Sequence, residues 1–116
     1  MQLFTVEVDG DIHVLRAEGG IDNRNADRFL EEVTVLVKGG AHRMIIDCGE
    51  LEIVSSAGLS ALLRVHSRLR EKGGTVKIAG VRGAVAQVLQ ITALNRVFDL
   101  HEDVGRAKLS FRDRED

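Results

Sequence analysis

The chain has 116 residues, of which 44% are apolar, which suffices for one domain with a real core. Its formal net charge of −2 argues against nucleic acid as the main partner, since binding to a phosphate backbone requires a basic face. The single cysteine excludes an internal disulfide and a zinc site built on cysteines, and the lack of a signal-peptide pattern or of an apolar run of roughly 18 residues predicts a soluble, cytoplasmic protein without a membrane partner.

The N-terminal residues predict an antiparallel hairpin. Residues 1–8 alternate between apolar and polar side chains, and residues 12–17 alternate again. Asp9-Gly10 lies between these two runs and is typical of a tight hairpin turn. Gly19-Gly20 is expected to end the second strand.

A helix and a central strand are predicted next. Asp22 or Asn23 is a plausible N-cap, and Gly39-Gly40 is expected to end the helix. The continuous apolar run at residues 44–46 predicts a strand covered on both faces, with residues 47–49 leaving that strand and Cys48 buried at its end. The helix positions with apolar spacing are Ala26, Phe29, Leu30, Val33 and Val37.

The second half of the chain alternates between helices and strands. The second helix follows Ser55-Ser56 and ends at Gly73-Gly74, and its apolar stripe is expected at Leu59, Leu62, Leu63, His66 and Leu69. A fourth strand at residues 75–79, a short helix at 82–90, a fifth strand at Val97-Phe98 and a last helix through Val104, Ala107 and Phe111 complete the series. The order β-β-α-β-α-β-α-β-α predicts one α/β domain over residues 1–111, with a mixed sheet, an N-terminal antiparallel hairpin, three to four helices and parallel later strands. Residues 112–116 are expected to form a charged, frayed tail, and the chain is expected to be monomeric.

The turn before the second helix carries the most informative polar residues. Ser55 stands where an N-cap belongs, and Ser56 stands in the first turn, where a helix exposes unpaired backbone N–H groups. Both hydroxyls could simply satisfy those donors. Alternatively, a phosphate on Ser56 would sit at the positive end of the helix, and it would exclude a partner that packs an apolar or acidic surface there. Ala57 and Gly58 are expected to keep this turn open to another protein.

The sequence lacks the patterns of the common enzyme classes. No Gly-x-Ser-x-Gly motif surrounds either serine, and no Walker-type loop is present. The four histidines, His13, His42, His66 and His101, do not share the spacing of metal ligands on a helix, and His66 is expected to be a core or boundary residue. We therefore expect no intrinsic catalysis, no metal site and no cofactor.

Several motifs in order resemble the STAS domain family, and in particular the stand-alone bacterial anti-sigma factor antagonists. Residues 19–23, Gly-Gly-Ile-Asp-Asn, resemble the family signature Gly-x-Leu-Asp, and residues 44–47, Met-Ile-Ile-Asp, resemble its central strand. Residues 54–59, Val-Ser-Ser-Ala-Gly-Leu, resemble the phospho-switch motif Asp-Ser-x-Gly-Leu. Residues 80–81 and 88–94 resemble the later segment that contains Leu-x-x-x-Gly-Leu.

The resemblance implies a partner-switching mechanism. The unphosphorylated antagonist would bind an anti-sigma factor, a serine kinase with a histidine-kinase-like ATPase fold. The kinase would phosphorylate the antagonist and so break the complex, and a metal-dependent serine phosphatase would restore it. By position, Ser56 matches the phosphoacceptor, and Asp22 matches a supporting aspartate near the switch. The implied partner-binding residues are Asp22, Asn23, Ser55, Ser56, Ala57, Gly58 and Leu59.

Two departures from the family pattern bear on this interpretation. Ser55 replaces the aspartate of the motif, which makes Ser55 a second possible acceptor. Ala93 replaces the usual glycine before Leu94, a change expected to affect a turn and not the switch. The alternative function is that of a non-switching STAS adaptor subunit in a lipid-transport or signalling assembly, which would need no phosphoacceptor at Ser56.

Overall fold

One five-stranded sheet organises the computed structural model, which describes residues 1–113. The elements are β1 (Gln2–Asp9), β2 (Ile12–Ile21), α1 (Ala26–Lys38), β3 (Arg43–Val54), α2 (Ser56–Glu71), β4 (Thr75–Ala79), α3 (Gly83–Ile91), β5 (Asp99–His101) and α4 (Val104–Asp113). The strands lie in the order β1-β2-β3-β4-β5, with β1 and β2 antiparallel and all other neighbours parallel. The predicted fold class and element order are therefore confirmed.

The larger core lies between the sheet and helices α1, α2 and α3. All five apolar positions predicted for α1 are buried. In α2, Leu62 and Leu69 are buried as predicted, Leu59 and Leu63 pack at the edge of this core, and His66 is the boundary residue that was expected. The prediction missed Gly58, Ala61 and Val65. The buried stripe of this helix is Gly58, Ala61, Leu62, Val65 and Leu69. Small side chains at the start of this stripe let α2 approach the sheet closely, which a pattern of large apolar residues does not reveal.

Strands β2 and β3 are longer than predicted. Gly19-Gly20 does not end β2, because Gly19 pairs with Leu51 and Gly20 pairs with Ile53 on β3. A Cβ at Gly20 would lie 2.6 Å from Ile53 Cγ2, so a larger residue there would have to displace the exposed Ile53 side chain. Residues 47–49 likewise continue β3, so Cys48 lies within the strand and not at its end. Cys48 is buried as predicted, and burial raises the pKa of its thiol to about 12. The end of β2 leads to the turn before α1, and the end of β3 leads to the turn before α2.

The fifth strand was predicted at the wrong residues. Val97 and Phe98 follow a 3-10 turn, and the backbone N–H groups of both donate to the Leu94 carbonyl at 3.0 Å. Phe98 is buried by packing into the larger core and not by sheet pairing, while β5 begins one residue later, at Asp99.

Helix α4 covers the opposite face of the sheet. Ala107 and Phe111 of α4 pack there with Ile12, Val14, Ile45 and Ala79. Arg112 Nη2 donates to Asp9 Oδ2 at 2.6 Å, and α4 continues to Asp113. The remainder of the predicted tail, residues 114–116, lies outside the described residues. None of the helices within residues 1–113 has the length and apolar character needed to cross a membrane.

The sequence analysis did not predict that a lysine is buried on this second face of the sheet. Lys77 on β4 is fully buried. Its Nζ donates to Asp99 Oδ2 at 2.6 Å and to Ser110 Oγ at 2.7 Å, and it lies 4.6 Å from the centre of the Phe111 ring. These contacts join β4, β5 and α4 through one charged group.

Replacing Ala93 with glycine is expected to stabilise the protein by about 0.5–1 kcal/mol, because Ala93 has a left-handed backbone with φ of 61°. Thermal and urea unfolding of Ala93→Gly measure the gain. Ala86→Gly within α3 is the matched control and should instead destabilise by about 1 kcal/mol. A loss of stability in Ala93→Gly would contradict the assignment of strain to this turn.

Candidate functional site

The turn between β3 and α2 is held by hydrogen bonds of Ser55, whose carbonyl also accepts from the Leu59 backbone N–H at 2.8 Å. Ser55 has an extended backbone and occupies the N-cap position of α2, as predicted, and its Oγ accepts from the Gly58 backbone N–H at 3.3 Å. Its own backbone N–H donates to the Ile21 carbonyl at the end of β2, at 2.9 Å. The Ser55 side chain therefore serves a helix cap, and its backbone ties the turn to the sheet.

Ser56 differs from its neighbour in exposure and bonding. It is the first residue of α2 and is solvent-exposed, whereas Ser55 is half-buried. The Ser56 hydroxyl makes no hydrogen bond to any other residue in the range 1–113. Of the two adjacent hydroxyls, Ser56 is the one that another protein can reach without breaking an existing contact.

Gly58 lies on the inner side of α2 and does not open the turn to solvent. It is buried, and a Cβ at this position would lie 2.5 Å from the Ile21 carbonyl oxygen and 2.8 Å from Val54 Cγ1. The expectation that Gly58 keeps the turn accessible is therefore corrected: this glycine permits close packing of α2 on β2 and β3. Ala57 and Leu59 are half-buried and border the outer surface of the same turn.

Replacing Gly58 with alanine is expected to destabilise the protein by about 2–3 kcal/mol, since the added methyl group meets backbone that cannot move independently. Urea unfolding measures the change. Gly105→Ala on α4 is the matched control, because Gly105 is exposed and an added Cβ there meets only Asp103 Oδ1, at 3.4 Å. The control should gain up to about 1 kcal/mol from helix propensity alone. Equal gains in both variants would refute the close-packing role of Gly58.

The turn before α1 is organised by a residue that the sequence analysis did not single out. Helix α1 begins at Ala26, so its N-cap position belongs to Asn25 and not to Asp22 or Asn23. The Asn25 side chain does not cap the helix. Its Oδ1 accepts from the Asp22 backbone N–H at 3.0 Å, and its Nδ2 donates to the Gly20 carbonyl at 3.0 Å. The sequence feature that could have identified Asn25 as the N-cap position is its place directly before Ala26, the first buried residue of the helical pattern.

Asp22 lies beside the serine turn and is itself engaged by Arg24. Asp22 follows Ile21, the residue that accepts the Ser55 backbone N–H, so the two turns adjoin. Its carboxylate accepts from the Arg24 backbone N–H at 2.8 Å and from Arg24 Nη2 at 2.9 Å. The hydrogen bond from the Arg24 guanidinium holds the pKa of Asp22 below its ordinary value, so Asp22 is ionised at neutral pH. Asn23 is exposed at the same surface.

The two turns present an exposed serine hydroxyl at one end of the sheet. Across the described range, residues 1–113, no three histidine, cysteine or acidic side chains converge as a metal site. The predicted residues Asp22, Asn23, Ser55, Ser56, Ala57 and Leu59 lie in two adjoining turns at one end of the sheet, with Gly58 packed beneath them. Of these residues, Asn23 and Ser56 are exposed to solvent, and Asp22, Ser55, Ala57 and Leu59 are half-buried.

Comparisons with known proteins agree with this arrangement. The chain is 27% identical over 112 residues to BtrV of Bordetella bronchiseptica, which is named as a candidate anti-sigma factor antagonist, and the alignment covers 97% of this chain and 96% of BtrV.

Three solved structures, of two proteins, share the fold over most of their length. A candidate anti-sigma factor antagonist from Thermotoga maritima superposes with a TM-score of 0.86 and 19% identity, over 91% of this chain and 92% of that one. The unphosphorylated anti-sigma factor antagonist SpoIIAA superposes with a TM-score of 0.70 and 17% identity, over 99% and 98% of the two chains. The phosphorylated form of SpoIIAA, a Bacillus cell fate determinant, superposes with a TM-score of 0.68 and 17% identity, over 94% and 97%.

The family profile of the STAS domain matches residues 4–107, which is most of the chain. That match, the five-stranded mixed sheet and the serine turn at the start of α2 agree with one another. The chain belongs to the STAS domain family.

Proposed function

We propose that this protein is a cytoplasmic anti-sigma factor antagonist that works by partner switching. In the unphosphorylated state it binds an anti-sigma factor serine kinase with a histidine-kinase-like ATPase fold. Phosphorylation of Ser56 breaks that complex, and a metal-dependent serine phosphatase restores the binding-competent form. The chain is the substrate of these enzymes and performs no chemistry itself.

The observation that carries this proposal is the exposed, unbonded hydroxyl of Ser56 at the first position of α2. A kinase needs an acceptor oxygen that is free to attack the phosphoryl group, and Ser56 offers one. Ser55 is the weaker candidate, because its Oγ is half-buried and already accepts from Gly58. Its modification would remove the N-cap of α2, at a cost of roughly 1 kcal/mol.

A phosphate at Ser56 is compatible with the fold. It would lie at the positive end of the α2 dipole, near backbone N–H groups that lack partners within the helix, and the first turn of α2 contains no acidic residue to repel it. It would add close to two negative charges beside the ionised Asp22. The domain can therefore keep its structure while its outer surface becomes strongly anionic, which is what a binding switch requires.

The relatives support the same function through their names. BtrV and the Thermotoga protein are both named as candidate anti-sigma factor antagonists. SpoIIAA is named as an antagonist and has been solved in an unphosphorylated and a phosphorylated form, both with the fold of this chain. Asp22 and Asn23 adjoin the serine turn in this chain, and we assign both, with Ala57 and Leu59, to the rim of the partner-binding surface.

Phosphoryl transfer tests the proposal. The purified chain is incubated with ATP and each candidate serine kinase of the histidine-kinase-like ATPase fold from the same genome, and the intact mass is measured. We expect a gain of one phosphate that persists in Ser55→Ala and in the control Ser60→Ala, an exposed serine one turn further along α2, and that is lost in Ser56→Ala. If the mass gain of one phosphate is lost only in Ser55→Ala, the phosphoacceptor is Ser55 and not Ser56. Stable binding to the kinase without any mass gain would favour a non-switching adaptor.

A further inference from the structure

Helix α2 carries cations that have no ion-pair partner. Arg64, Arg70 and the C-cap residue Lys72 pair with no carboxylate among residues 1–113, and Arg68 donates only to the Thr34 hydroxyl, at 2.7 Å. Elsewhere most cations are paired: Arg16, Arg24, Arg28, Arg43, Lys77, Arg106, Lys108 and Arg112 each contact a carboxylate. Within residues 1–113, the unpaired cations outside this helix, Lys38, Arg82 and Arg96, come from separate parts of the fold. Cationic side chains without an ion-pair partner are therefore concentrated on α2.

A surface depression runs along this helix from the serine turn. Two concavities of about 300 and 390 Å³ adjoin one another, and both are lined by Ser60 and Arg64. The first begins between Asn23 and Ala57, and the second continues to Arg68. We name these two adjoining depressions together the α2 groove. Ala57, the residue that follows Ser56, lines its beginning, so the groove lies next to the proposed acceptor hydroxyl along α2.

The groove has a carboxylate at each end and cationic side chains between them. Asp27 lines its beginning and Glu71 its far end, and neither forms an ion pair with Arg64 or Arg68. Between Ser56 and Arg70 the helix contains no carboxylate, and the helix N-terminus adds partial positive charge. The middle of the groove is therefore cationic. Arg64 has no partner and can bind a carboxylate bidentately, while Arg68 already donates to the Thr34 hydroxyl.

We propose that the α2 groove binds an acidic segment of the same partner that contacts the serine turn; this rests on the proposed function and names the chemistry of the partner surface. Arg64 is the principal anchor, because it lines both halves of the groove and has no partner of its own. The short length of the groove, with a carboxylate at each end, and the net charge of −2 favour a local acidic protein segment over an extended polyanion.

The spacing along α2 places a phosphate on Ser56 close enough to the groove to affect binding at Arg64. Ser60 and Arg64 lie four and eight residues after Ser56, on the same side of the helix, so Arg64 is roughly 12 Å from Ser56 along the axis. Long side chains in helices point back toward the N-terminus, which shortens that separation. The separation between Ser56 and the Arg64 guanidinium is therefore close to the electrostatic screening length of about 8–10 Å in physiological salt. A phosphate on Ser56 therefore opposes the acidic segment at the start of the groove.

The test measures the affinity of the full chain for the serine kinase that modifies it, at about 50 mM and about 500 mM salt. Arg64→Glu should weaken binding by about tenfold at low salt, Arg64→Gln by less, and the loss in Arg64→Glu should shrink at high salt. The matched control is Arg96→Glu, which makes the same charge change at an exposed, unpaired arginine outside the groove. It should stay within about twofold of the unmodified sequence.

The outcomes separate this inference from the proposed function. If Arg64→Glu binds the kinase as tightly as Arg96→Glu does, the groove is not part of the interface and the inference is overturned, whatever Ser56 does. Binding of the chain to phosphatidylglycerol vesicles that is lost in Arg64→Glu would assign the cations to a lipid and would also overturn it. The proposed function fails on a different result, namely kinase binding that is insensitive to charge at Ser56.

Discussion

Ser56→Asp is expected to remain folded and to lose about a hundredfold in affinity for the partner kinase. An aspartate in the first turn of α2 is favourable to the helix dipole, so its unfolding temperature should match or slightly exceed that of the unmodified sequence. The loss of affinity follows because a carboxylate would be desolvated against the partner without a compensating cation, next to the ionised Asp22. Titration calorimetry measures the affinity, and circular dichroism measures the fold.

Two controls separate charge from shape in this experiment. Ser56→Asn has nearly the same size as Ser56→Asp but no charge, and it should lose much less affinity. Gln87→Glu adds one negative charge at an exposed position of α3, away from the serine turn, and should leave the affinity within about twofold. If Ser56→Asn and Ser56→Asp bind equally weakly, the switch acts through steric fit and not through charge.

The largest effect on stability is expected at the buried lysine. Asp99→Ala should destabilise the protein by about 3–5 kcal/mol, because it leaves the Lys77 ammonium buried with only Ser110 as a hydrogen-bond partner. Lys77→Met should cost about 1 kcal/mol or less, since an apolar side chain of similar length fills the same space and the Asp99 carboxylate is partly exposed to water. Urea unfolding of each variant gives the free energies.

The double variant is the decisive control for this pair. Lys77→Met/Asp99→Ala contains no buried unpaired charge, so it should be more stable than Asp99→Ala alone. A double variant that is less stable than either single variant would show that the two side chains act through packing and not as an ion pair.

The same pair predicts a loss of stability in acid. Burial acts to raise the pKa of Asp99, but the hydrogen bonds and charges of Lys77 and His101 outweigh it, so the pKa lies below its ordinary value of 3.8. Asp99 therefore adds stability above about pH 4, and this contribution disappears as pH falls through the lower folded-state pKa. Unfolding free energies measured from about pH 6 down to about pH 2 should show this loss in the unmodified chain and a smaller one in Lys77→Met. Equal acid sensitivity would show that Lys77 does not set the titration of Asp99.

Local patterns were sufficient for the fold class and for the serine turn. The spacing of Phe29, Leu30 and Val33 predicted α1 because helical periodicity depends only on neighbours within the helix. Ser55 was recognisable as an N-cap for the same reason: its bond to Gly58 spans three residues. The resemblance to STAS domains rested on motifs read in order along the chain, and the family profile later matched residues 4–107.

Contacts between residues distant in the chain decided the rest. Gly19 and Gly20 look like a strand end until β3 pairs with them, and Gly58 looks like an open turn until β2 lies against it. Lys77 resembles a solvent-facing strand residue, and only Asp99, Ser110 and Phe111, more than twenty positions away, make its burial possible. The sequence by itself therefore determined the order of the elements and where the hydroxyls stand, because those depend on short-range periodicity and capping. Only the tertiary structure decided which glycines are packed, which charges are paired and which arginines remain available to a partner, because burial and ion pairing depend on what the fold brings alongside each residue.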